Sequence, residues 1–211
     1  MKIIETVVSA FQQNARLVIN TNDQNRAFWV DPGDEAERLI ELAEDNGANV
    51  EAILLTHGHV DHIGDARVLA DHYKVPLIGP DEADKLFFES LAETCRQYGL
   101  PVKASFLPDR WTQHGETLEL AGLSLDVVHA PGHSPGHMMF LHAPSKIALV
   151  GDVIFMQSIG RTDLPGGDHA TLLQSIKREL WHLDGWRLLC GHGASTNIED
   201  EKQLNPFLQG L

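Results

Sequence analysis

The sequence predicts a mixed α/β fold arranged as one domain. Apolar runs of strand length alternate with amphipathic helical patterns, and this alternation occurs in both halves of the chain. The 211 residues, 43% of them hydrophobic, suffice for a sizeable core. Only residues 194–211 follow Gly193, just after the last apolar run, so we expect a single domain over 1–211 with no additional C-terminal helical domain.

The amino-terminal part predicts three strands, a turn and a helix. The strands are short β-type runs separated by Asn, Asp and Gln, a pattern typical of an antiparallel meander. A turn follows at Asp31, Pro32 and Gly33. From Asp34 onward, apolar residues at helical spacing and a stop at Gly47 predict a covering helix. The β-type runs cover residues 3–8, 15–20 and 27–30.

The middle of the chain predicts two strands, each followed by a helix. The continuous apolar run at 51–56 has the length of a strand buried on both faces, and a helix after it extends to about Tyr73. Residues 75–79 form the next apolar run. The amphipathic pattern over Asp81–Tyr98 predicts a helix, whose acidic residues we interpret as a solvated face.

The second half repeats this order of elements. Apolar runs near residues 123–128, 147–150 and 187–190 predict strands, and a helix is expected from about Asp168 to Leu183. Asp168 is a plausible N-cap of that helix because its carboxylate can accept from the first turn. The whole pattern therefore predicts strands from both halves with covering helices.

Composition excludes several classes of protein. A formal net charge of −14 opposes binding to nucleic acid, whose phosphates require clustered Lys and Arg. Charged residues interrupt every apolar run well before the ~18 residues that a membrane span needs. The two cysteines, Cys95 and Cys190, are too few for a disulfide scaffold. We therefore expect a cytoplasmic protein that binds neither nucleic acid nor membranes.

Four predicted strands end in residues that can bind metal ions. Ligands gather at the carboxyl ends of strands in α/β sheets, so these ends can converge although they lie far apart in sequence. Five imidazoles and two carboxylates match the nitrogen and oxygen ligands of catalytic zinc or iron. In chain order the candidates are His57, His59, Asp61 and His62 after the first strand, then His133, Asp152 and His192.

The spacing within the first of these groups points to two ions. Residues two apart in extended backbone point to the same side, which directs His57 and His59 toward one ion. Asp61 and His62 lie where the next helix begins and can face a second ion. Asp152 could bridge the two ions as a shared carboxylate.

The HxHxDH pattern at 57–62, with the later His133, Asp152 and His192, resembles the metallo-β-lactamase superfamily. That resemblance covers essentially the whole chain and implies an αββα sandwich of two mixed β-sheets flanked by helices. It also implies a distribution of the ligands. The first ion would take His57, His59 and His133, the second would take Asp61, His62 and His192, and Asp152 would bridge them.

Three further motifs resemble glyoxalase II, the hydroxyacylglutathione hydrolases, in their short single-domain bacterial form. They are PGHSPGH at 131–137, GDVIF at 151–155 and GRTDLPGGD at 160–168. This likeness implies cleavage of a glutathione thioester of the S-lactoylglutathione type to D-lactate and glutathione. Arg161 stands where the long enzymes carry a cation, which implies a substrate contact, whereas Asp163 replaces an aromatic residue and could pair with Arg161 instead.

The implied mechanism requires two divalent metal ions per chain, with zinc favoured over iron or manganese. A metal lowers the pKa of bound water from 15.7 to about 7, which supplies a bridging hydroxide as nucleophile. Asp61 and Asp152 would be the catalytic carboxylates beside that hydroxide. The expected partner is a small-molecule thioester.

Two alternative functions remain open at this point. A persulfide dioxygenase would use a single iron held by a two-His-one-carboxylate face. A lactonase would need the same metals together with an apolar groove for the acyl group.

Two residues are expected to support the ligands from behind, namely Asp31 and His137.

Overall fold

A computed structural model describes residues 1–211 of the protein, which form two five-stranded sheets. The first sheet contains, in spatial order, β1 (Lys2–Val8), β2 (Gln13–Asn20), β3 (Arg26–Val30), β4 (Asn49–Leu54) and β5 (Leu77–Ile78). The second contains β6 (Thr117–Leu120), β7 (Leu123–His129), β8 (Met138–His142), β9 (Ile147–Gly151) and β12 (Arg187–Cys190). A small hairpin consists of β10 (Ile154–Phe155) and β11 (Ser158–Ile159).

Both sheets are mixed, as the resemblance implied. In the first sheet β1, β2 and β3 pair antiparallel, which confirms the predicted meander, whereas β4 and β5 pair parallel to their neighbours. The second sheet has the order β12-β9-β8-β7-β6, and only the pair of β12 and β9 is parallel. Consequently β7, β9 and β12 run in the same direction and end at one edge.

The α-helices are α1 (Ala36–Asp45), α2 (Val60–Ile63), α3 (Ala66–Tyr73), α4 (Lys85–Glu89), α5 (Leu91–Tyr98), α6 (His169–Ser175) and α7 (Ile198–Leu204), and a π-helix (Ile176–Leu180) continues α6. Two predicted helices are each divided into shorter ones. Between α4 and α5, the Leu86 carbonyl oxygen accepts from both the Ser90 hydroxyl (2.7 Å) and the Ser90 N–H (2.9 Å). No helix in the structure combines the length and apolarity needed to cross a membrane.

Three apolar layers show that the architecture is an αββα sandwich. Successive strand residues point to opposite faces, so Phe28 of β3 packs in the core between the sheets and Trp29 packs beneath the helices. Trp29 shares its cluster with Leu39 of α1 and Leu69 of α3. The third layer joins the second sheet to α6 and α7 through Leu172, Val150 and Ile198. This confirms the predicted fold class.

The structure also contains elements that the sequence patterns did not predict, namely β6, β8, the hairpin of β10 and β11, and α7. β8 is buried along its whole length, because it lies between β7 and β9 and both of its faces are covered. β7 instead alternates buried and exposed residues, since one face of it meets the inter-sheet core and the other meets solvent.

Candidate metal centre

The carboxyl ends of β4, β7, β9 and β12 bring all seven sequence-predicted ligand residues together. The loop after β4 and the first turn of α2 carry four of them, and the loops after β7, β9 and β12 carry one each. Their ligand atoms form three overlapping groups in which all atoms lie within 4.8 Å of one another. The groups are His57, His59 and His133; His57, His62 and Asp152; and Asp61, His62 and His192.

Asp152 lies between the two implied ligand sets. Its Oδ1 is 3.4 Å from His62 Nε2, and its Oδ2 is 3.4 Å from Nε2 of both His133 and His192. Asp61 Oδ2 is 3.2 Å from His192 Nε2. Ligands of a tetrahedral zinc lie about 2.0–2.2 Å from the ion and therefore about 3.3–3.6 Å from each other. The distances from Asp152 match that spacing, whereas His59 Nδ1 and His133 Nε2 lie closer together, at 2.8 Å.

Four of the five imidazoles are oriented by a hydrogen bond on the ring nitrogen that points away from the cluster. Each donates from Nδ1 to an oxygen, which leaves Nε2 directed at the cluster, the usual arrangement behind metal-binding histidines. The pairs are His57 with Thr56 Oγ1 (3.0 Å), His62 with Asp31 Oδ2 (3.0 Å), His133 with the Arg161 carbonyl (2.8 Å) and His192 with the Phe11 carbonyl (3.1 Å).

Several buried polar atoms of this cluster have no hydrogen-bond partner within the protein. They include Nε2 of His57, Nε2 of His62 and Oδ1 of Asp152. A buried polar atom without a partner costs free energy, and such atoms are rare unless a ligand satisfies them. Divalent cations bound to the two ligand sets would satisfy all three, so the residues present fit a metal centre.

The protonation states differ between the two halves of the cluster. Burial lowers the pKa of His59 to about 3 and the pKa of His57 well below its ordinary value, so both rings are neutral and able to bind metal. Burial also disfavours the charged form of His192, but hydrogen bonds to Asp152 and Asp61 raise its pKa to about 10. An ion bound beside those carboxylates would displace that proton.

Asp31 supports the cluster from behind, as the sequence analysis expected. Its Oδ1 accepts from the Thr56 backbone N–H (2.7 Å), and its Oδ2 accepts from the Thr56 hydroxyl (2.6 Å) and from His62. Asp31 thus connects the last residue before the ligand loop with one of the ligands. Asp61, whose side chain could have capped α2, makes no capping bond there, because the N-cap position belongs to His59.

His137 is the second expected supporting residue, and it contacts Asp152 through the backbone. The Asp152 N–H donates to His137 Nε2 (3.0 Å), and the His137 ring stacks on His57 at 4.7 Å between centroids. His137 is completely buried. It therefore holds the backbone of Asp152 and one face of His57 in fixed positions.

Asp84 is a supporting residue that the sequence analysis missed. Its acid neighbours are solvated, but Asp84 is fully buried, so the interpretation of this helix's acids as a solvated face is wrong here. Asp84 Oδ2 accepts from the Gly58 N–H (2.8 Å) and the Ser134 hydroxyl (2.8 Å), and Oδ1 accepts from the Gly136 N–H (2.6 Å). It thereby joins the loop of His57 and His59 to the loop of His133. Its position in a helical turn among other acidic residues gave no sequence pattern that predicts its burial.

A cavity of about 560 Å³ opens above the cluster. His59, Asp61, His133, Asp152 and His192 form its floor. Its walls are largely apolar, and aromatic rings stand directly beside the floor. Phe87 lies 4.9 Å from His59 and Phe155 lies 5.8 Å from His192, measured between ring centroids.

Arg161 lines the same cavity, but its guanidinium is engaged by another residue. Nε and one terminal nitrogen donate to the two carboxylate oxygens of Asp163, each at 2.7 Å. The backbone of Arg161 is fixed separately, because its carbonyl accepts from His133. The side-chain pairing that the sequence left open as an alternative to substrate contact is thus present.

Comparison with known proteins agrees with this architecture. Residues 8–192 match a protein family described as the metallo-beta-lactamase superfamily. Hydroxyacylglutathione hydrolase GloC of Haemophilus influenzae is 48% identical over 203 residues, which are 95% of each chain. The probable metallo-hydrolase YqgX of Bacillus subtilis is 35% identical over 213 residues, covering 100% of this chain and 99% of its own.

Solved structures give the same result. The BLEG-1 B3 metallo-beta-lactamase superimposes with a TM-score of 0.91 at 33% identity, over 99% of this chain and 100% of that one. TTHA1623, crystallised in a di-iron-bound form, gives a TM-score of 0.88 at 36% identity, over 97% and 100%. The chain therefore belongs to the metallo-beta-lactamase superfamily, resembles its glyoxalase II branch, and is a metal-dependent hydrolase.

Proposed function

We propose that this protein hydrolyses glutathione thioesters of the S-lactoylglutathione type, giving a hydroxy acid such as D-lactate and free glutathione. The observation that carries the proposal is the complete set of seven ligand-type side chains at the floor of an accessible cavity. The 48% identity to a protein named hydroxyacylglutathione hydrolase supports this choice of substrate.

The proposal includes two divalent ions per chain, with zinc favoured. His57, His59 and His133 would hold the first ion, Asp61, His62 and His192 would hold the second, and Asp152 would contact both. The position of the Asp152 carboxylate, 3.4 Å from nitrogens of both sets, supports this distribution. Imidazole and carboxylate ligands also accept iron or manganese, so the metal present in cells depends on availability.

Such ions, when bound, supply a hydroxide near neutral pH and polarise the thioester carbonyl. The chain's own contribution is to orient the reacting groups. The carboxylates of Asp61 and Asp152 lie on the cavity floor, where they can orient the attacking water and hold its proton. The departing thiolate is a stable leaving group, so the reaction requires little help from an additional general acid.

The first test is thiol release from S-lactoylglutathione by the purified metal-loaded protein, in air, without oxygen, and after chelation. We expect release that is independent of oxygen and is abolished by the chelator. No turnover by protein that contains bound metal would refute the proposed thioesterase.

Asp152→Ala tests the assignment of the shared carboxylate. We expect metal content, measured by mass spectrometry, and kcat/KM to fall together, the latter by at least about 100-fold. Asp71→Ala is the matched control, because Asp71 is exposed on α3 and does not line the cavity. If Asp152→Ala kept both ions and near-normal turnover, Asp152 would not be a shared ligand.

Lactone hydrolysis is a second candidate, because the largely apolar walls of the cavity are the feature that a lactonase would need. Hydroxide attack on a cyclic ester uses the same metal centre. Comparing kcat/KM for lactones and for thioesters decides between these two activities. A persulfide dioxygenase would need one iron and oxygen consumption, and the complete second set of Asp61, His62 and His192 favours the two-ion hydrolase over it.

A further inference from the structure

The wall of the cavity formed by α4 and α5 exposes an unusual amount of apolar surface. Leu86 is 65% exposed and Tyr98 is 51% exposed, and both line the cavity. Phe11 meets Tyr98 edge to face at 6.0 Å on the rim, and Phe87 continues the wall down to His59. Contiguous exposed apolar surface in a cleft is typical of a binding site for an apolar group.

The same cavity offers little to a negatively charged group away from its floor. Arg161 is the single Lys or Arg among the lining residues, and both oxygens of Asp163 occupy its guanidinium. Glu93 also lines the cavity and adds negative charge, and the neighbouring Arg96 is paired with it at 3.2 Å. The carboxylates of a peptide thiol such as glutathione therefore meet no free cation on these walls.

We propose that the cavity selects thioesters by an apolar acyl group packed against Leu86, Phe87 and Tyr98. The carboxylates of the thiol remain in solvent, because Asp163 holds Arg161. This inference rests on the proposed thioesterase function and differs from it in the acyl group, because it expects thioesters with an apolar acyl chain to be preferred over the lactoyl thioester. The acyl group is the part that fits the wall, because the peptide thiol is polar and gains little from apolar contact.

Apolar contact with the acyl group and an ion pair with the thiol predict effects of different size on kcat/KM. Each methylene that is fully buried raises kcat/KM about 4-fold, so a chain of several methylenes changes it by well over 10-fold. An ion pair at the exposed Arg161, which is 60% accessible, changes kcat/KM by only about 5-fold or less. Acyl length should therefore decide specificity, and the charge of the thiol should matter little.

The experiment measures kcat/KM of the zinc-loaded protein for acetyl, butanoyl and hexanoyl thioesters of glutathione and of N-acetylcysteamine, a thiol without a carboxylate. We expect a rise of at least about 10-fold from acetyl to hexanoyl on either thiol. We also expect the two thiols to differ by less than about 5-fold for the same acyl group. Inhibition constants of S-methylglutathione and S-hexylglutathione, which cannot be hydrolysed, measure the same preference without turnover.

Two variants and one control test which residues cause the acyl and thiol preferences. Leu86→Asn should reduce the increase with acyl length, whereas Leu204→Asn, a similarly exposed leucine on α7 away from the cavity, should not. Asp163→Asn should free Arg161 and lower KM for glutathione thioesters about 2- to 5-fold, with no change for N-acetylcysteamine thioesters.

A kcat/KM that does not depend on acyl length, or a preference for glutathione above about 10-fold in the unmodified protein, would overturn this inference and leave the thioesterase function standing. Equal effects of Leu86→Asn and Leu204→Asn would overturn it as well. Failure to hydrolyse any thioester would instead overturn the proposed function, and this substrate class with it.

Discussion

Removal of the Asp84 carboxylate tests whether this residue holds the two ligand loops together. Asp84→Ala leaves three donors without their acceptor, namely the N–H groups of Gly58 and Gly136 and the Ser134 hydroxyl. An unpaired buried donor costs about 1–3 kcal/mol, so the three together would cost about 3–9 kcal/mol.

Two effects offset part of this cost. Burial raises the pKa of Asp84 to about 6 from 3.8, so its ionised form is disfavoured by about 3 kcal/mol at neutral pH, and the alanine variant no longer carries that charge. Water that enters the vacated space can pair with some of the donors. We therefore expect the free energy of unfolding to fall by about 2–4 kcal/mol.

The assay is urea unfolding, together with zinc affinity measured by competition with a chelator. Because Asp84 orients the loops of three implied ligands, we expect zinc affinity to fall about 10- to 100-fold. Asp81→Ala is the matched control, since Asp81 accepts only from the Ala83 N–H (2.9 Å) at the exposed start of the same segment. Its expected cost is about 1 kcal/mol, with unchanged zinc affinity. Equal stability and equal zinc affinity in the two variants would refute this role of Asp84.

Three further predictions concern the pH dependence of Asp84, the close packing at Gly132 and the stability that a bound metal adds. Because the pKa of Asp84 is raised from 3.8 to about 6, its protonation stabilises the fold fully below pH 3.8, and this contribution is lost as the pH rises from 3.8 through 6. The stability advantage of the unmodified chain over Asp84→Ala should therefore widen by about 1.4 kcal/mol from pH 7.5 to pH 5.0. A constant difference in urea unfolding would contradict the assigned shift. Gly132→Ala should lower the free energy of unfolding by at least about 3 kcal/mol, because a Cβ there would lie 2.3 Å from the backbone nitrogen of Leu172 at a φ of +127°. Gly99→Ala is the control and should cost about 1 kcal/mol, since it has open space and a φ of +69°. Similar melting temperatures for both variants would refute the close approach at Gly132. If metal is present at about 1,000 times its dissociation constant, chelation should remove about 4 kcal/mol of stability and lower the melting temperature by about 8–16 °C. Added zinc should restore the melting temperature. A melting temperature insensitive to chelator would contradict a bound metal.

Local sequence patterns carried most of what was predicted about the ligand residues. His57, His59, Asp61 and His62 lie within six residues, so their spacing alone directs them toward one place. Apolar runs that end in a histidine or aspartate also predicted which strands would carry ligands, because residues that follow a buried strand must leave the sheet at its edge.

The supporting residues could not be predicted in the same way. Asp84 lies among solvated acids and differs from them only because the loops of Gly58 and Ser134 fold over it. Likewise β8 and α7 have no isolated pattern of their own. These features arise from contacts between segments that are distant in the chain.

The sequence by itself determined the chemistry of the centre, since residue type and spacing fix which nitrogen and oxygen atoms are available. Only the tertiary structure decided how that centre is used. It brought His133, Asp152 and His192 to the ligand loop, placed Leu86 and Tyr98 on the cavity wall, and paired Arg161 with Asp163. The physical reason is that a ligand motif is local along the chain, whereas burial, cavity shape and the partner of a charged group are set by long-range packing.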